Sequence, residues 1–239
     1  MKEIVKKCLG EVIISCQAYE DTPLYGAQNM KNMVECAMIG GARVVRCCWP
    51  QDIAAARSLS EDRDKLVIIG INKIFPADGS MDGIFITPTF EAAEEIIKAG
   101  ADIVALDCRI LETRGKDELL ALLKKINEAY PEVGVMADCE TYEECKFCDD
   151  TGLVDIVSTT LSGINHPEME GPDIELLKKC KETLTHPINA EGRIWELADI
   201  TAVTKENADM MTIGTAVTRP HLITERFINH YNKIKGENA

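Results

Sequence analysis

One lysine and one glutamate of this chain stand directly after apolar segments that have the character of buried β-strands. Lys73 follows "LVIIGIN" at residues 66–72, and Glu191 ends "PINAE" at residues 187–191. A fully buried lysine is rare, so its ammonium group either reaches solvent on a flexible stem or is presented to a ligand. A lysine and a carboxylate that face one cavity can move a proton to and from a substrate. The alternative is an ion pair that serves only the structure.

Polar or small residues also stand at the ends of the other apolar runs. They are Gln17, Arg46, Asp107, Asp138, Thr159 with Thr160, Gly192, and Gly214 with Thr215. One such residue carries little information, whereas a ring of them predicts a site at the carboxyl ends of the strands. Lys73 follows the third run and Glu191 ends the seventh. In an eight-stranded barrel these two residues would face each other across the opening.

The last apolar run leads into a turn of small residues. In "MMTIGTAVTRP", at residues 210–220, Gly214 and Thr215 are followed closely by Arg219. Small residues let backbone N–H groups approach an anion, and barrels of this kind frequently bind phosphate after strands seven and eight. A plain glycine-containing turn is the alternative, but the neighbouring arginine favours a phosphate site.

Eight short apolar runs alternate with amphipathic segments along the chain. The runs cover residues 12–16, 43–47, 66–72, 103–107, 133–138, 155–160, 187–191 and 210–214. Segments between them, such as "DELLALLKKINEAY", repeat apolar residues every three or four positions, as helices do. The alternation predicts an α/β protein, a single (β/α)8 TIM barrel of the phosphate-binding type that fills residues 1–239 as one domain. A doubly wound open sheet is the second choice, but no glycine-rich dinucleotide fingerprint follows the first run.

Composition limits the partners and the compartment. Forty acidic and 26 basic residues give a net charge of -14, which argues against nucleic-acid binding and requires any anion site to be compact. No apolar run approaches the roughly 18 residues of a membrane span. Ten cysteines without a signal peptide favour the cytoplasm. The histidines lack metal-ligand spacing and the C-x-x-C of Cys145 and Cys148 has no second pair, so no metal is expected.

Taken together, several of these segments resemble one enzyme family. They are "IISCQ", "VIIGINKI", "DIVALD", "VSTTLSGI", "INAEGR" and "IGTAVTRP". This ordered set resembles the N-acetylmannosamine-6-phosphate 2-epimerase family (N-acylglucosamine-6-phosphate 2-epimerases), and the correspondence covers about residues 12–232. The resemblance implies a phosphate-binding TIM barrel that epimerises C2 of an N-acyl-D-mannosamine 6-phosphate during sialic acid and amino-sugar salvage. It implies no cofactor.

The resemblance also implies roles for individual residues. Lys73 would be the acid/base and Glu191 its catalytic partner. The substrate-binding set would be Gln17, Arg46, Asp138, Thr160 and Gly192, and the phosphate-binding set Gly214, Thr215 and Arg219. The residue types suit the chemistry, because removal of the C2 proton beside the C1 aldehyde of the open-chain sugar gives an enolate that arginine can stabilise. Reprotonation on the other face by one group or by a second gives the epimer.

Two segments depart from the family pattern. Ile74, Phe75 and Pro76 follow the lysine where an arginine and then acidic and aromatic residues are usual, and Trp49 replaces smaller polar residues. The long connection at residues 74–89 is predicted to be an active-site loop. These changes bear on which sugar phosphate is accepted.

Three functions therefore stay open from the sequence. They are the 2-epimerase, a different phosphosugar isomerase or Schiff-base aldolase on the same barrel, and a non-catalytic phosphosugar-binding protein. Each would bind a small phosphorylated sugar rather than a nucleic acid or a membrane. A barrel of this size is also compatible with a homodimer.

Overall fold

The computed structural model describes residues 1–75, 83–166 and 168–237, and in it eight parallel strands close into a barrel. Each strand pairs with its neighbours in chain order, and β1 pairs with β8. The strands are β1 (Val12–Cys16), β2 (Val44–Cys48), β3 (Val67–Ile71), β4 (Ile103–Asp107), β5 (Gly134–Asp138), β6 (Ile156–Ser158), β7 (Ile188–Glu191) and β8 (Met210–Ile213). The predicted (β/α)8 barrel is confirmed, and each strand lies within one of the predicted runs or one residue from it.

Helices precede β1 and follow the strands, and most of them form the outer layer. They are α1 (Glu3–Lys6), α2 (Ala27–Ile39), α3 (Pro50–Arg57), α4 (Phe90–Lys98), α5 (Lys116–Ala129), α6 (Tyr142–Thr151), α7 (Ile174–Thr183), α8 (Leu197–Lys205), α9 (Thr215–Thr218) and α10 (Pro220–Glu237). Local signals set several of these bounds. A capping box of Thr141 and Glu144 begins α6, and Gly152 ends that helix in the left-handed conformation. Every described helix falls short of the length and apolar content that a membrane crossing requires.

Side chains of each strand alternate between the barrel interior and the helix layer. In β4, Ile103 and Ala105 pack in the inner cluster, whereas Val104 and Leu106 pack in the outer one. By the same alternation, Arg46 of β2 shares the inner face with Val44 and Cys48. The barrel therefore points some of its polar strand residues inward, beneath the opening.

The predicted active-site loop at residues 74–89 lies partly outside the described residues, because its segment 76–82 is among those that the structure does not describe. The flanks of the loop are described. Lys73 pairs antiparallel with Ile86, and the rings of Phe75 and Phe85 stack at 5.4 Å. These contacts bring the two ends of the loop together beside the opening.

Asp52, in the first turn of α3, is a buried carboxylate without a hydrogen-bond partner among the described residues. Its residue is 1% exposed, and neither carboxyl oxygen accepts a bond there. Burial raises the pKa of Asp52 from 3.8 to about 6. The folded protein therefore holds a proton between pH 3.8 and pH 6 that the unfolded chain releases, so stability decreases as pH rises through this window and then levels off.

We expect the substitution Asp52→Asn to raise the free energy of unfolding by roughly 2 to 3 kcal/mol at pH 8, because it removes an uncompensated buried charge. At pH 4 the gain should vanish, since Asp52 is then protonated. Urea denaturation at both pH values measures this. Asp117→Asn, in the exposed first turn of α5, is the matched control and should change stability by about 0.5 kcal/mol or less. An equal gain at both pH values would contradict the charge explanation.

Candidate functional site

A cleft of about 190 Å³ opens at the carboxyl ends of the strands. Eight of the predicted site residues line it, namely Gln17, Lys73, Thr160, Glu191, Gly192, Gly214, Thr215 and Arg219. They come from five strand ends and the segments that follow them, which lie far apart in the sequence. The closed barrel brings them together because all eight strands end at the same rim.

Arg46 and Asp138, the other two predicted residues, lie beneath this cleft rather than on its wall. Both are buried, with 1% and 0% of their side chains exposed. Arg46 Nη1 donates to Asp138 Oδ1 at 3.0 Å, and Nη2 donates to Asp138 Oδ2 at 2.5 Å. Nη1 also donates to Glu191 Oε2 at 2.9 Å. Arg46 therefore influences the cleft through its hydrogen bond to Glu191. A contact between Arg46 and the substrate remains a prediction.

Glu191 forms part of the cleft floor, where several donors hold its carboxylate in place. Its side chain is 14% exposed. Oε2 lies 3.1 Å from the Thr160 hydroxyl and 3.3 Å from the Asn189 amide nitrogen, besides its bond from Arg46. Burial raises the pKa of the Glu191 carboxyl, while Arg46 opposes that rise and Asp138 adds to it. Compared with an exposed glutamate, Glu191 therefore holds a proton more readily.

Lys73 stands two residues beyond the end of β3 and is half-buried. Its Nζ lies 2.6 Å from the hydroxyl of Tyr19, and its backbone carbonyl accepts a bond from Trp49 Nε1 at 3.0 Å. The lysine is thus presented to the cleft, not released to solvent. Neither Lys73 nor Arg219 forms an ion pair with a carboxylate inside residues 1–75, 83–166 and 168–237.

The predicted phosphate end of the cleft is built by the segment after β8. Gly214 and Thr215 line the cleft where α9 begins, and Arg219 follows that helix. A Cβ at position 214 would lie 3.4 Å from the Cβ of Ser15, so this turn packs directly against β1. The Thr218 hydroxyl fastens the segment to β1 by donating to the Ser15 carbonyl at 2.7 Å. These contacts hold the small-residue turn against the opening.

Two other polar strand ends serve the framework. Asp107 is fully buried, and its carboxylate accepts from Arg109 Nη2 at 2.8 Å. The Thr159 hydroxyl donates to the Glu191 carbonyl at 3.0 Å and accepts from the Glu191 N–H at 3.1 Å. Neither residue lines the cleft.

Several residues of the site were not predicted from the sequence, among them Tyr19, Arg193 and Trp195. Tyr19 contacts Lys73, while Arg193 and Trp195 line the cleft after β7. Arg193 donates from Nε to the Gly171 carbonyl at 2.7 Å, which ties together the loops after β6 and β7. The segment "INAEGR" already contained Arg193, so its position after a strand end was the available signal. Tyr19 lies in a loop without periodicity and gave no such signal.

The thiols do not form a metal site in the described part of the chain. Cys145 and Cys148 lie in α6 and both are buried. No group of three or more His, Cys, Asp or Glu side chains among the described residues is arranged to hold a metal ion. The pair of cysteines therefore belongs to the packing between α6 and the barrel.

We expect Arg46→Met to destabilise the fold by roughly 3 to 5 kcal/mol at pH 7.5, because it leaves two carboxylates buried without a cation. Arg46 lowers the pKa of Glu191. Without Arg46, Glu191 takes up a proton at a higher pH, so the variant should recover part of its stability when pH falls to 5. Denaturation at both pH values measures the loss.

The matched control is Arg43→Met, which breaks an ion pair with Glu11 whose arginine is 65% exposed. It should cost about 1 kcal/mol or less, because a surface pair contributes little. Similar losses for the two variants would mean that Arg46 does not neutralise the buried carboxylates.

A family profile and several similar proteins are named for one family. The NanE family profile, described as "Putative N-acetylmannosamine-6-phosphate epimerase", matches residues 30–233. Two relatives are named "Putative N-acetylmannosamine-6-phosphate 2-epimerase". The one from Caldanaerobacter subterraneus subsp. tengcongensis is 38% identical, with 99% of this chain and 98% of the relative covered. The one from Clostridioides difficile is 35% identical, with 94% and 97% covered.

A solved structure agrees with these relatives. It is described as the N-acetylmannosamine-6-phosphate 2-epimerase from Clostridium perfringens, and it superposes with a TM-score of 0.84 at 32% identity. The superposition covers 95% of this chain and 96% of that one. The chain belongs to the N-acetylmannosamine-6-phosphate epimerase family.

Proposed function

We propose that this chain interconverts N-acetylmannosamine 6-phosphate and N-acetylglucosamine 6-phosphate by inverting carbon C2. The observation that carries the proposal is a single cleft in which Lys73, Glu191 and Arg219 face the same space. The relatives and the solved structure are named for the same reaction. The reaction is an isomerisation in amino-sugar metabolism.

The proton transfer at C2 is assigned to Lys73 and Glu191. In the open-chain sugar the C2 proton is acidified by the C1 aldehyde, and its removal leaves an enolate. A neutral Lys73 amine can accept that proton, and return of a proton to the other face completes the inversion. Glu191 is suited to returning a proton to the other face of C2, because burial raises the pKa of its carboxyl and favours the protonated form. Arg46 supports this role by fixing Glu191 Oε2 from below.

The phosphate of the substrate is assigned to the part of the cleft that the segment after β8 forms. Gly214, Thr215 and Arg219 lie there, and Arg219 has no carboxylate partner among the described residues. A guanidinium without an acidic partner remains available for a phosphate, which it can bind through two parallel hydrogen bonds. Gln17, Thr160 and Gly192 line the cleft between these groups and are assigned to the sugar.

We also propose that the protein is a homodimer in which α10 of each copy covers the barrel wall of the other. The final helix leaves an apolar stripe open to solvent, made of Phe227, Ile228 and Tyr231, which are 52% to 70% exposed. A groove of about 530 Å³ runs along the outside of β1 beside α2, and it is lined by Val12, Ile14, Met33 and Ala37 among others. In a (β/α)8 barrel this is the wall that the helix after β8 covers. An open apolar wall and an open apolar helix are therefore complementary.

Residues 1–239 are proposed to act as one catalytic domain in the cytoplasm. All ten cysteines are free thiols, and nine of them are buried. Free thiols in this number suit a reducing compartment.

We expect that incubation of the protein with N-acetylmannosamine 6-phosphate in D2O produces the gluco epimer with deuterium at C2. Proton NMR of the sugar measures this as loss of the C2–H signal. Lys73→Ala should lower kcat by about 100-fold or more, because it removes the group that accepts the proton. Glu191→Gln should also lower kcat, since an amide cannot exchange a proton with the substrate. Lys65→Ala, at an exposed lysine outside the cleft, is the control and should retain wild-type turnover.

If the C2–H signal of bound substrate persists in the wild-type protein, the epimerase proposal is wrong. Borohydride treatment with substrate would then reveal whether Lys73 forms a Schiff base, as an aldolase requires. Equal activity of Lys73→Ala and wild type would leave the epimerase proposal standing but would show that Lys73 does not transfer the proton.

For the dimer, we expect a mass of twice 26.4 kDa by light scattering at micromolar concentration. The double variant Phe227→Glu, Tyr231→Glu should be monomeric, because it places charge in the apolar contact. Asn229→Glu, at an exposed position on the other face of the same helix, should remain a dimer. A monomeric wild-type protein would overturn the proposal.

A further inference from the structure

Tyr19 occupies the space between the proton-transfer group and the phosphate end of the site. It lies in the loop after β1 and is half-buried. Its hydroxyl is 2.6 Å from Lys73 Nζ. Its ring lies under the Arg219 guanidinium, whose central carbon is 4.9 Å from the ring centre. One side chain thus contacts both cations that the reaction needs.

Other aromatic side chains fix the position of the Tyr19 ring. Trp49 packs edge-on against it with 5.9 Å between ring centres, and Phe75 lies at 6.2 Å on a tilted plane. Trp49 is itself held, because its Nε1 donates to the Lys73 carbonyl and its N–H donates to the Ile71 carbonyl at 2.9 Å. The backbone of Trp49 has φ 68°, a conformation that non-glycine residues adopt uncommonly. The loop between β2 and α3 therefore holds this strained turn against β3, next to Lys73.

We propose that Tyr19 is a positioning residue with two separate actions, one through its hydroxyl on Lys73 and one through its ring on Arg219. The inference rests on the proposed function, since it takes Lys73 as the proton acceptor and Arg219 as the phosphate ligand. Lysine has a flexible four-carbon stem, so its amine needs a partner to keep one direction. The Tyr19 hydroxyl provides that partner, and the ring face attracts the guanidinium.

A phenol is suited to this position because of its hydrogen-bonding capacity. Its oxygen accepts a bond from an N–H of Lys73 in both the ammonium form and the neutral amine form, and in the neutral form the lone pair of the amine stays free for the substrate proton. The contact therefore persists while the lysine gains and loses the substrate proton. A carboxylate at the same place would also accept, but its negative charge would favour the ammonium form over the neutral amine that the reaction needs.

Two variants separate the two actions. Tyr19→Phe removes the hydroxyl and keeps the ring, so we expect kcat to fall roughly 10- to 100-fold, as a misplaced reacting group does, with KM changed less than twofold. Tyr19→Leu removes the ring as well, so we expect the same fall in kcat and a rise in KM of about 5-fold or more from the freed Arg219. Tyr25→Phe is the control, because its hydroxyl faces Glu20 at 3.4 Å and does not touch Lys73.

The deuterium isotope effect on kcat gives a readout that a packing role would not change. With substrate deuterated at C2, the isotope effect should be larger in Tyr19→Phe than in wild type, because proton transfer becomes more limiting when Lys73 is less well aimed. Thermal unfolding should show Tyr19→Phe and Tyr25→Phe to be equally folded.

The outcomes also separate this inference from the function on which it rests. An inactive wild-type protein would end the epimerase proposal before any variant is compared. With an active wild type, unchanged kcat in Tyr19→Phe would overturn the hydroxyl action, and unchanged KM in Tyr19→Leu would overturn the ring action. A fall in kcat with an unchanged isotope effect and a lowered unfolding temperature would show that Tyr19 only supports the fold.

Discussion

One buried guanidinium organises the centre of this barrel. Arg46 is 1% exposed and donates to two carboxylates from strands on the far side of the barrel interior, Asp138 of β5 and Glu191 of β7. A buried arginine is tolerated only when its charge is matched, and two carboxylates match it with one negative charge in excess. Among the described residues, all donors to the Glu191 carboxylate act on Oε2, and Oε1 takes no part in those bonds. The interior network thus fixes the carboxylate through Oε2 and leaves Oε1 outside these hydrogen bonds.

The same network explains why the upper part of the barrel is polar while the lower part is not. Below the opening, aliphatic and thioether side chains such as Ile69, Ile103 and Met136 fill the interior. Above them, Ser158 accepts from the Asn189 amide at 2.7 Å, and Thr212 donates to Asn189 at 3.0 Å. Apolar residues in these places would stabilise the fold at least as well. The polar layer is a cost to stability that the site requires, because it holds Glu191 at the rim.

How much the sequence predicts depends on the physical origin of each feature. The barrel and the residues at its rim follow from apolar runs and from the rule that parallel strands end on one side, so Lys73, Glu191 and Arg219 could be assigned to one opening. The depth of Arg46 could not be predicted, because β2 ends at Cys48, one residue later than the predicted run. That shift places Arg46 a full layer below the rim. Tyr19 was missed since loop contacts depend on tertiary packing, which has no sequence period.

The two proposed proton-transfer groups are held by opposite means. Glu191 belongs to a strand and is fixed by charge and hydrogen bonds from the barrel interior, so its position is part of the core. Lys73 lies beyond the end of its strand, and its flexible stem carries the amine into the cleft. An amine so placed needs support from outside the barrel, and the loops that carry Tyr19 and Trp49 are the elements that reach it. Because loops tolerate changes better than strands do, a change of substrate is easier to accommodate on the lysine side of the cleft than on the glutamate side.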